Sequence, residues 1–416
     1  MNKAQAVTSS RCRNCAAPLR HTLIDLGMSP FANSYIKADH WNATECFYPL
    51  RVYVCDSCFL VQLESIARPE EIFSDYAYFS SYSDSWIEHA RRFTESVIKR
   101  FGLNRQSRVV EIASNDGYLL RHFIARDIPV LGIEPAQNVA EAALRQGVPT
   151  QIRFFGDNTA RELVREGQQA DLIIGNNVLA HVPNLNGFVC GLKILLNSTG
   201  VITLEFPSLM RLIEENQFDT IYHEHFSYFS LIAVETVLAR HGLNLFDVEE
   251  LPTHGGSLRI YACHRDDPTK QTDARVRKLL ARERDAGLLK LSYYFCFGEK
   301  VRDTKRKLLK FLISAKANRK TIVGYGAPAK GNTLLNYCGI RTDFIDYTVD
   351  RSPHKQGYLL PGTRIPIYSP NRIRATRPDY LLILPWNLKE EIMEQMSCIR
   401  EWNGRFVVPI PEIQIF

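Results

Sequence analysis

The chain has little of what would send it to a membrane or to nucleic acid. No apolar run opens it: Met1-Asn2-Lys3-Ala4-Gln5-Ala6-Val7 lacks the hydrophobic stretch of a secretory signal. Nowhere does it approach the roughly 20 consecutive apolar residues that a spanning helix needs. Blocks of one charge are missing as well. The formal net charge of +6 is spread thinly over 416 residues, with no basic tail, which argues against nucleic-acid binding. A mild positive balance suits an anionic small substrate. The expected location is therefore the cytoplasm. There, ten cysteines are thiols or metal ligands rather than disulfides.

With 45% hydrophobic and 23% charged residues, the composition is that of a globular protein. The length exceeds what one core supports, so two or three domains are expected. The first is marked by cysteine spacing. Cys12-Arg13-Asn14-Cys15 is matched by Cys55-Asp56-Ser57-Cys58, and two CxxC knuckles are the usual thiolate set of a closed, structural zinc site. The interval between the pairs is longer than in common fingers, so a loop or hairpin is expected between them. Cys46 is left over. Residues 51–54 and 59–63 read as ribbon strands. The segment Ser74 to Ser83 is rich in tyrosine and serine. It reads as a connecting loop, or as the lining of a polar site through Tyr76.

A helix is expected from Trp86 to Phe101, followed by alternating strands and helices. Ser107 to Ile112 reads as a buried strand entering Ala113-Ser114-Asn115-Asp116-Gly117. A strand, a turn of small residues and a helix make the first unit of a doubly wound sheet, which binds ligands at the carboxyl ends of its strands. The second strand, Val130 to Ile133, ends in Glu134. It follows Glu111 at close to the roughly 20-residue spacing at which an acid meets ribose hydroxyls. Further strands are expected at 151–155, 170–175 and 200–206, with Asn176-Asn177 closing the fourth.

Tyr222-His223-Glu224-His225 places four proton-active side chains together between apolar flanks. If extended, Tyr222 and Glu224 share one face and the histidines the other; in a tight turn, Tyr222 and His225 converge. Leu251 to Ile260, containing His254-Gly255-Gly256, reads as a loop entering a strand. Its glycines permit positive φ or close approach to a ligand. Thr272 to Asn318 reads as one or two long solvated helices. Gly324-Tyr325-Gly326-Ala327-Pro328-Ala329-Lys330 opens a second strand–turn–helix, and the next strand, 344–349, ends at Asp350. A helix N-terminus with Lys330 can hold a nucleotide diphosphate, and the segment to Lys355 adds phosphate-compatible residues. NAD binding is the alternative reading of this unit.

The strand order and the residues Glu111 to Gly117, Glu134 and Asn176 to Leu179 resemble class I S-adenosylmethionine-dependent methyltransferases. Ala113 and Asn115 stand where that family has glycines. Taken with the knuckles, Tyr222 to His225, His254-Gly255-Gly256 and Gly324 to Ala327, nearly the whole chain resembles the S-adenosylmethionine-dependent C-methyltransferases of nucleotide-deoxysugar biosynthesis. The resemblance implies an α/β chain with three parts: a zinc-binding module over residues 1–68, a Rossmann-like methyltransferase domain over 69–250, and a smaller Rossmann-like domain with a helical linker over 251–416. It implies zinc on Cys12, Cys15, Cys55 and Cys58. It implies the cofactor on Glu111, Ala113, Ser114, Asn115, Asp116, Gly117, Glu134 and Asn177.

The implied substrate is a nucleotide-linked 4-keto-deoxyhexose, methylated at C3. His254, Gly255, Gly256, Gly326, Lys330, Asp350 and Lys355 are its expected contacts. Tyr222 and His225 fall on the catalytic motif with Glu224 nearby, and Tyr76 and His181 at active-site positions. In this reading His225 is the base, Tyr222 the enolate donor or alternate base, and Glu224 the group that orients them. His223 is a neighbour whose replacement is tolerated. A second metal on His223 and His225, an O- or N-methyltransferase, a nicotinamide-dependent sugar oxidoreductase and a non-catalytic scaffold are the other readings.

Overall fold

The computed structural model describes residues 10–64, 79–82 and 84–416. Tyr76 and the expected boundary near residue 68 lie outside them. Among the described residues, three larger sheets and one two-stranded sheet organise the chain. The N-terminal one is an antiparallel ribbon of His21–Ser29, Tyr48–Val54 and Val61–Leu63, closed by Ser227–Tyr228. The fourth strand arrives from the middle of the chain, immediately after the Tyr222 to His225 stretch. The segment between the first two ribbon strands also reaches forward: Ile36–Lys37 pairs with Tyr358–Leu359 in a separate two-stranded sheet.

The second sheet has seven strands. Numbered along the chain, their spatial order is 3-2-1-4-5-7-6, with the seventh antiparallel to both neighbours. The first strand is Val109–Ile112, buried throughout as a parallel strand covered on both faces must be. The expected strand at 151–155 is only Thr150–Gln151. The last two strands are Leu243–Leu251 and Ser257–His264. This hairpin straddles the division expected between residues 250 and 251, so the chain leaves the sheet only after His264. The helix Ala274–Ala286 still packs on it through Val276, Leu279 and Leu280. The region expected as one or two solvated helices is three, ending in Phe297–Ala317. Its charges are not all at the surface. Glu283 is buried and accepts the backbone N–H groups of Leu231 and Ile232 at 2.8 and 2.9 Å, capping the helix Leu231–Arg240.

The third sheet has five parallel strands with the antiparallel Gln414–Ile415 at one edge. Its parallel strands run in the order 3-2-1-4-5, the doubly wound arrangement. The expected strand over 344–349 is reduced to Thr348–Val349. The ribbon packs against both larger sheets. Leu50, Val52 and Val54 share one apolar core with Ile322, Val323 and Leu381 of the third sheet. Leu60 and the metal-side cysteines Cys12 and Cys55 pack with the second.

Candidate active site

The turn after the first strand of the middle sheet shows how a chain does without the usual glycines. Ala113, Asn115 and Gly117 all have positive φ, at 57°, 50° and 79°. Only glycine reaches that region freely, so Ala113 carries a cost of roughly 1–2 kcal/mol. Two hydrogen bonds oppose it. Ala113 N–H donates to the Ile133 carbonyl at 2.7 Å, and Asn115 N–H to Glu134 Oε2 at 3.0 Å. Glu134 Oε1 accepts from Ala136 N–H at 2.9 Å. The segment 79–82 lies over this turn: Ser80 N–H donates to Asn115 Oδ1, and Ser81 N–H to Asp116 Oδ2.

Three acids gather here. Burial pushes the Glu134 carboxyl up to about 7, and burial with Glu134 and Asp116 nearby pushes Glu111 well above its ordinary value. Glu111 Oε2, Asp116 Oδ1 and Asn177 Oδ1 are buried with no hydrogen-bond partner among the described residues. Buried acceptors persist only where a donor answers them. An ammonium and hydroxyls, as on S-adenosylmethionine, are donors of the right kind. The residues present therefore fit that cofactor. Trp86 stands beside the turn, its ring centre 6.2 Å from Tyr118 and 5.2 Å from His254.

The Tyr222 to His225 stretch is a turn, closed by His225 N–H to the Tyr222 carbonyl at 2.9 Å. Of the two arrangements open to the sequence, this one brings Tyr222 and His225 together, with ring centres 4.0 Å apart. His181, in the 3-10 turn Leu179–His181, lies edge-on to His225 at 4.7 Å. Nδ1 of His225 is 2.8 Å from the Thr220 carbonyl oxygen. A carbonyl only accepts, so Nδ1 carries the proton and Nε2 keeps its lone pair. The expected orienting acid is elsewhere: Glu224 accepts from Asn33 Nδ2 at 2.7 Å. Glu224 is turned to Asn33, and the carbonyl of Thr220 holds the His225 ring. His223 sits against Phe31 and Tyr48, with Nε2 3.2 Å from the Pro49 carbonyl oxygen. It is a wedged, buried side chain rather than a freely replaceable neighbour.

The third sheet meets the second at these loops. Lys330 Nζ donates to Asn387 Oδ1 at 2.8 Å and lies 4.6 Å from the centre of the Trp386 ring. The Trp386 indole donates to Asp219 Oδ2 at 2.8 Å. Burial holds the Asp219 carboxyl up at about 6, against the pull of Lys330. His254 is held down at about 4 by burial, then by the Lys330 charge. His225 is lowered well below the usual imidazole range by burial, then by His181, with His254 and Lys330 adding to it. Both rings are neutral near pH 7. His254 Nε2 then accepts from Asn177 Nδ2 at 3.4 Å.

Five expected substrate contacts also make contacts within the protein. Gly255 and Gly256, at φ 90° and 114°, are packing glycines. A Cβ on Gly255 would lie 2.4 Å from Trp386 Cη2, and one on Gly256 3.0 Å from Arg211 Cγ. Asp350 accepts the Ala327 N–H at 2.8 Å. Its carboxylate thus caps a backbone N–H of this turn. Gly326, at φ 87°, abuts Pro385. Lys355 donates to the Ala327 carbonyl at 2.9 Å and flanks Tyr35. At the same edge of the third sheet, Tyr325, Arg351, Asn371, Arg374 and Gln395 line a cavity of about 390 Å³.

No pattern in the sequence assigns a role to Asp219, Thr220, Trp386 or Trp86. Nor does any mark the cluster in which Glu205 meets His89 at 3.0 Å, Arg259 at 2.9 Å and Thr253 at 3.0 Å. Asp219 stood beside the noted stretch, but its partner Trp386 is too distant in sequence to be foreseen.

The four knuckle thiols lie within 4.8 Å of one another, with Cys12 to Cys58 and Cys15 to Cys55 at 3.5 Å. Zinc–sulfur bonds of about 2.3 Å in a tetrahedron put sulfurs about 3.8 Å apart, so the set fits zinc with no open position. Ala16 and Phe59, each following a knuckle, share a positive φ of 62° and 56°. No other metal-ligating cluster occurs among the described residues, and His223 and His225 do not form one.

Comparison with known proteins agrees with this geometry. Residues 12–73 match a domain described as zinc binding, 86–248 a methyltransferase domain, and 252–411 the C-methyltransferase C-terminal domain. C-methyltransferase NovU of Streptomyces niveus is 36% identical over 407 residues, covering 97% of this chain and 96% of that protein. Among solved structures, the SAM-bound magnesium protoporphyrin IX methyltransferase of Synechocystis is 14% identical (TM-score 0.33, 47% of this chain and 88% of that one). A protein of Pyrococcus horikoshii is 15% identical (TM-score 0.36, 47% and 97%). The chain belongs to the family of S-adenosylmethionine-dependent C-methyltransferases, with a zinc-binding N-terminal module.

Proposed function

We propose that this C-methyltransferase acts on a nucleotide-linked 4-keto-deoxyhexose, at C3, by base-catalysed enolate formation. The observation that carries the reading is the state of His225. It is buried and neutral, with Nδ1 held by the Thr220 carbonyl and Nε2 left basic. A sugar C–H becomes acidic only beside a carbonyl, where the carbanion charge moves onto oxygen. His225 Nε2 takes the C3 proton, and the C–H electron pair becomes the enolate. General-base help of this kind contributes roughly 10²–10⁴-fold. An imidazolium is costly in this buried place, but the enolate formed with it is its counter-ion.

The enolate oxygen needs a donor placed beforehand. The Tyr222 hydroxyl, on the ring beside His225, is assigned to it, with His181 and Lys330 behind. Ala113 to Gly117, Glu111, Glu134 and Asn177 would hold S-adenosylmethionine, which would supply an electrophilic methyl group with a neutral thioether as leaving group. The nucleotide is assigned to the third-sheet side, where Arg351, Arg374, Lys330 and Lys355 offer cations. Gly326 belongs there as a turn that lets the chain approach Pro385.

The test is a panel of nucleotide-linked 4-keto-hexoses incubated with cofactor in D₂O. A 14-dalton gain on one sugar, with deuterium exchange at the carbon next to the ketone when cofactor is omitted, supports the reading. Methylation at oxygen without any carbon-bound exchange overturns it.

A further inference from the structure

Arg13 lies inside the first zinc knuckle, one residue after Cys12, yet its side chain serves the active-site turn. Its guanidinium donates to the carbonyl oxygen of Phe226 at 3.0 Å and to that of Leu63. It also lies 5.4 Å from the centre of the Phe226 ring. Phe226 is the residue directly after His225. Its carbonyl takes a second bond from Leu63 N–H at 3.0 Å, where Ser227–Tyr228 joins the ribbon.

The backbone of Arg13 is fixed on both sides. Its N–H donates to Gln62 Oε1 at 2.9 Å, and Gln62 Nε2 donates to Cys12 Sγ at 3.2 Å. Its carbonyl accepts from Asn186 Nδ2 at 2.7 Å. A continuous line of hydrogen bonds thus runs from a metal-ligand sulfur to the residue beside the base. At its other end the turn is anchored where Thr333 Oγ1 donates to the Ile221 carbonyl at 2.9 Å. The five residues from Ile221 to His225 bridge two anchors, and one of them is the metal module.

We propose that Arg13 is a positioning residue for His225, transmitting the geometry of the loaded zinc knuckle to the catalytic turn. The zinc module then does more than fold the N-terminus. Groups that line such networks around a metal typically matter 10–100-fold, and a misplacement of about 1 Å at a reacting centre costs about 10²-fold. The inference rests on the reading of His225 as the base, so the experiment separates the two.

Arg13→Met, Arg13→Lys and His225→Ala are compared with the parent protein, full length and zinc-loaded. Four quantities are measured: metal content, the thiolate-to-metal absorption of the cobalt-substituted protein, S-adenosylhomocysteine affinity, and kcat with KM for methyl transfer and for C–H exchange. Arg13→Met is expected to keep one zinc per chain, the parent cobalt spectrum and the parent affinity for S-adenosylhomocysteine. Its kcat should fall about 30- to 100-fold, with partial recovery in Arg13→Lys. A metal-loaded Arg13→Met with the parent kcat, beside an inactive His225→Ala, overturns the coupling and leaves the site reading standing. An active His225→Ala overturns the site reading itself. If Arg13→Met does not fold, Arg13→Lys decides: the parent kcat there overturns the proposal, and a reduced kcat with metal and cofactor affinity intact supports it.

Discussion

The imidazole of His225 donates from Nδ1 to the carbonyl oxygen of Thr220 at 2.8 Å, and that one bond sets which nitrogen can act. Nε2 is left as the acceptor. Because a backbone carbonyl rather than a carboxylate holds Nδ1, no anion raises the imidazole's basicity, and burial lowers it. Replacing His225 by Ala should therefore remove C3–H exchange and methyl transfer together, by about 10²–10⁴-fold, with cofactor affinity unchanged. Tyr222→Phe should slow both but leave exchange measurable. The check is mass spectrometry of exchange in D₂O. Exchange kept by His225→Ala and lost in Tyr222→Phe reverses the two roles.

The acids around the cofactor turn give a pH dependence of binding. Glu134 is raised to about 7 and Glu111 is raised well above its ordinary value. Glu134 is partly protonated in the ligand-free protein at neutral pH, and Glu111 holds its proton more readily than an ordinary carboxyl, whereas a cationic ligand favours the carboxylates. Affinity for S-adenosylmethionine should rise from pH 5.5 to about 7.5 with proton release, then level off. Stability of the ligand-free protein runs the other way. An acid with a raised folded-state pKa binds more protons folded than unfolded, so stability is lost as pH rises from about 4.5 through about 7. Calorimetric titration in two buffers of different ionisation enthalpy measures the proton release. Affinity that falls over this range would contradict the assignment.

Gly132 tests the turn by packing. A Cβ there would lie 2.4 Å from Ser114 Oγ and 3.0 Å from its Cβ. Gly132→Ala should push the Ser114 turn outward and weaken S-adenosylhomocysteine binding about tenfold or more, since overpacking costs typically 1–3 kcal/mol. Adding Ser114→Gly should recover part of the loss. Equilibrium binding of the single and double variants reads the effect, and equal affinity in Gly132→Ala and the parent would show the turn to be uninvolved.

Lys330 brings the third sheet's charge to the histidines of the second. Its ammonium contributes to the lowering of both His225 and His254. Lys330→Met should therefore raise the His225 pKa, and the acid limb of the kcat/KM profile should move to higher pH. A full pH–rate profile reads the shift. A limb that stays in place, or moves down, would put Lys330 away from the base.

Much of the site was legible because its chemistry is local. The CxxC knuckles, the small-residue turn after a buried strand and the acid closing the next strand are short-range patterns. Each is fixed by sterics or by ligand geometry within a few residues. The density of proton-active groups in Tyr222 to His225 marked the stretch proposed as catalytic for the same reason. Even the missing glycines at Ala113 and Asn115 were visible as departures. That both still adopt positive φ was not, since the Ile133 and Glu134 bonds that hold them come from the neighbouring strand.

What only the tertiary structure decided are pairings across long intervals of chain. Trp386 with Asp219, the Lys330 charge acting on His225 and Arg13 on Phe226 leave no periodicity in the sequence, because nothing local to either partner depends on the other. That the sheet continues past the division expected at residues 250 and 251 was hidden for a related cause. The hairpin Leu243–Leu251 and Ser257–His264 is completed by pairing with Leu196–Pro207, and a strand's membership of a sheet is settled by its hydrogen-bonded neighbour. The sequence determined which side chains could move a proton, hold a metal or cradle a cofactor. The fold decided which of them meet, because burial and hydrogen-bond geometry are properties of the assembled chain.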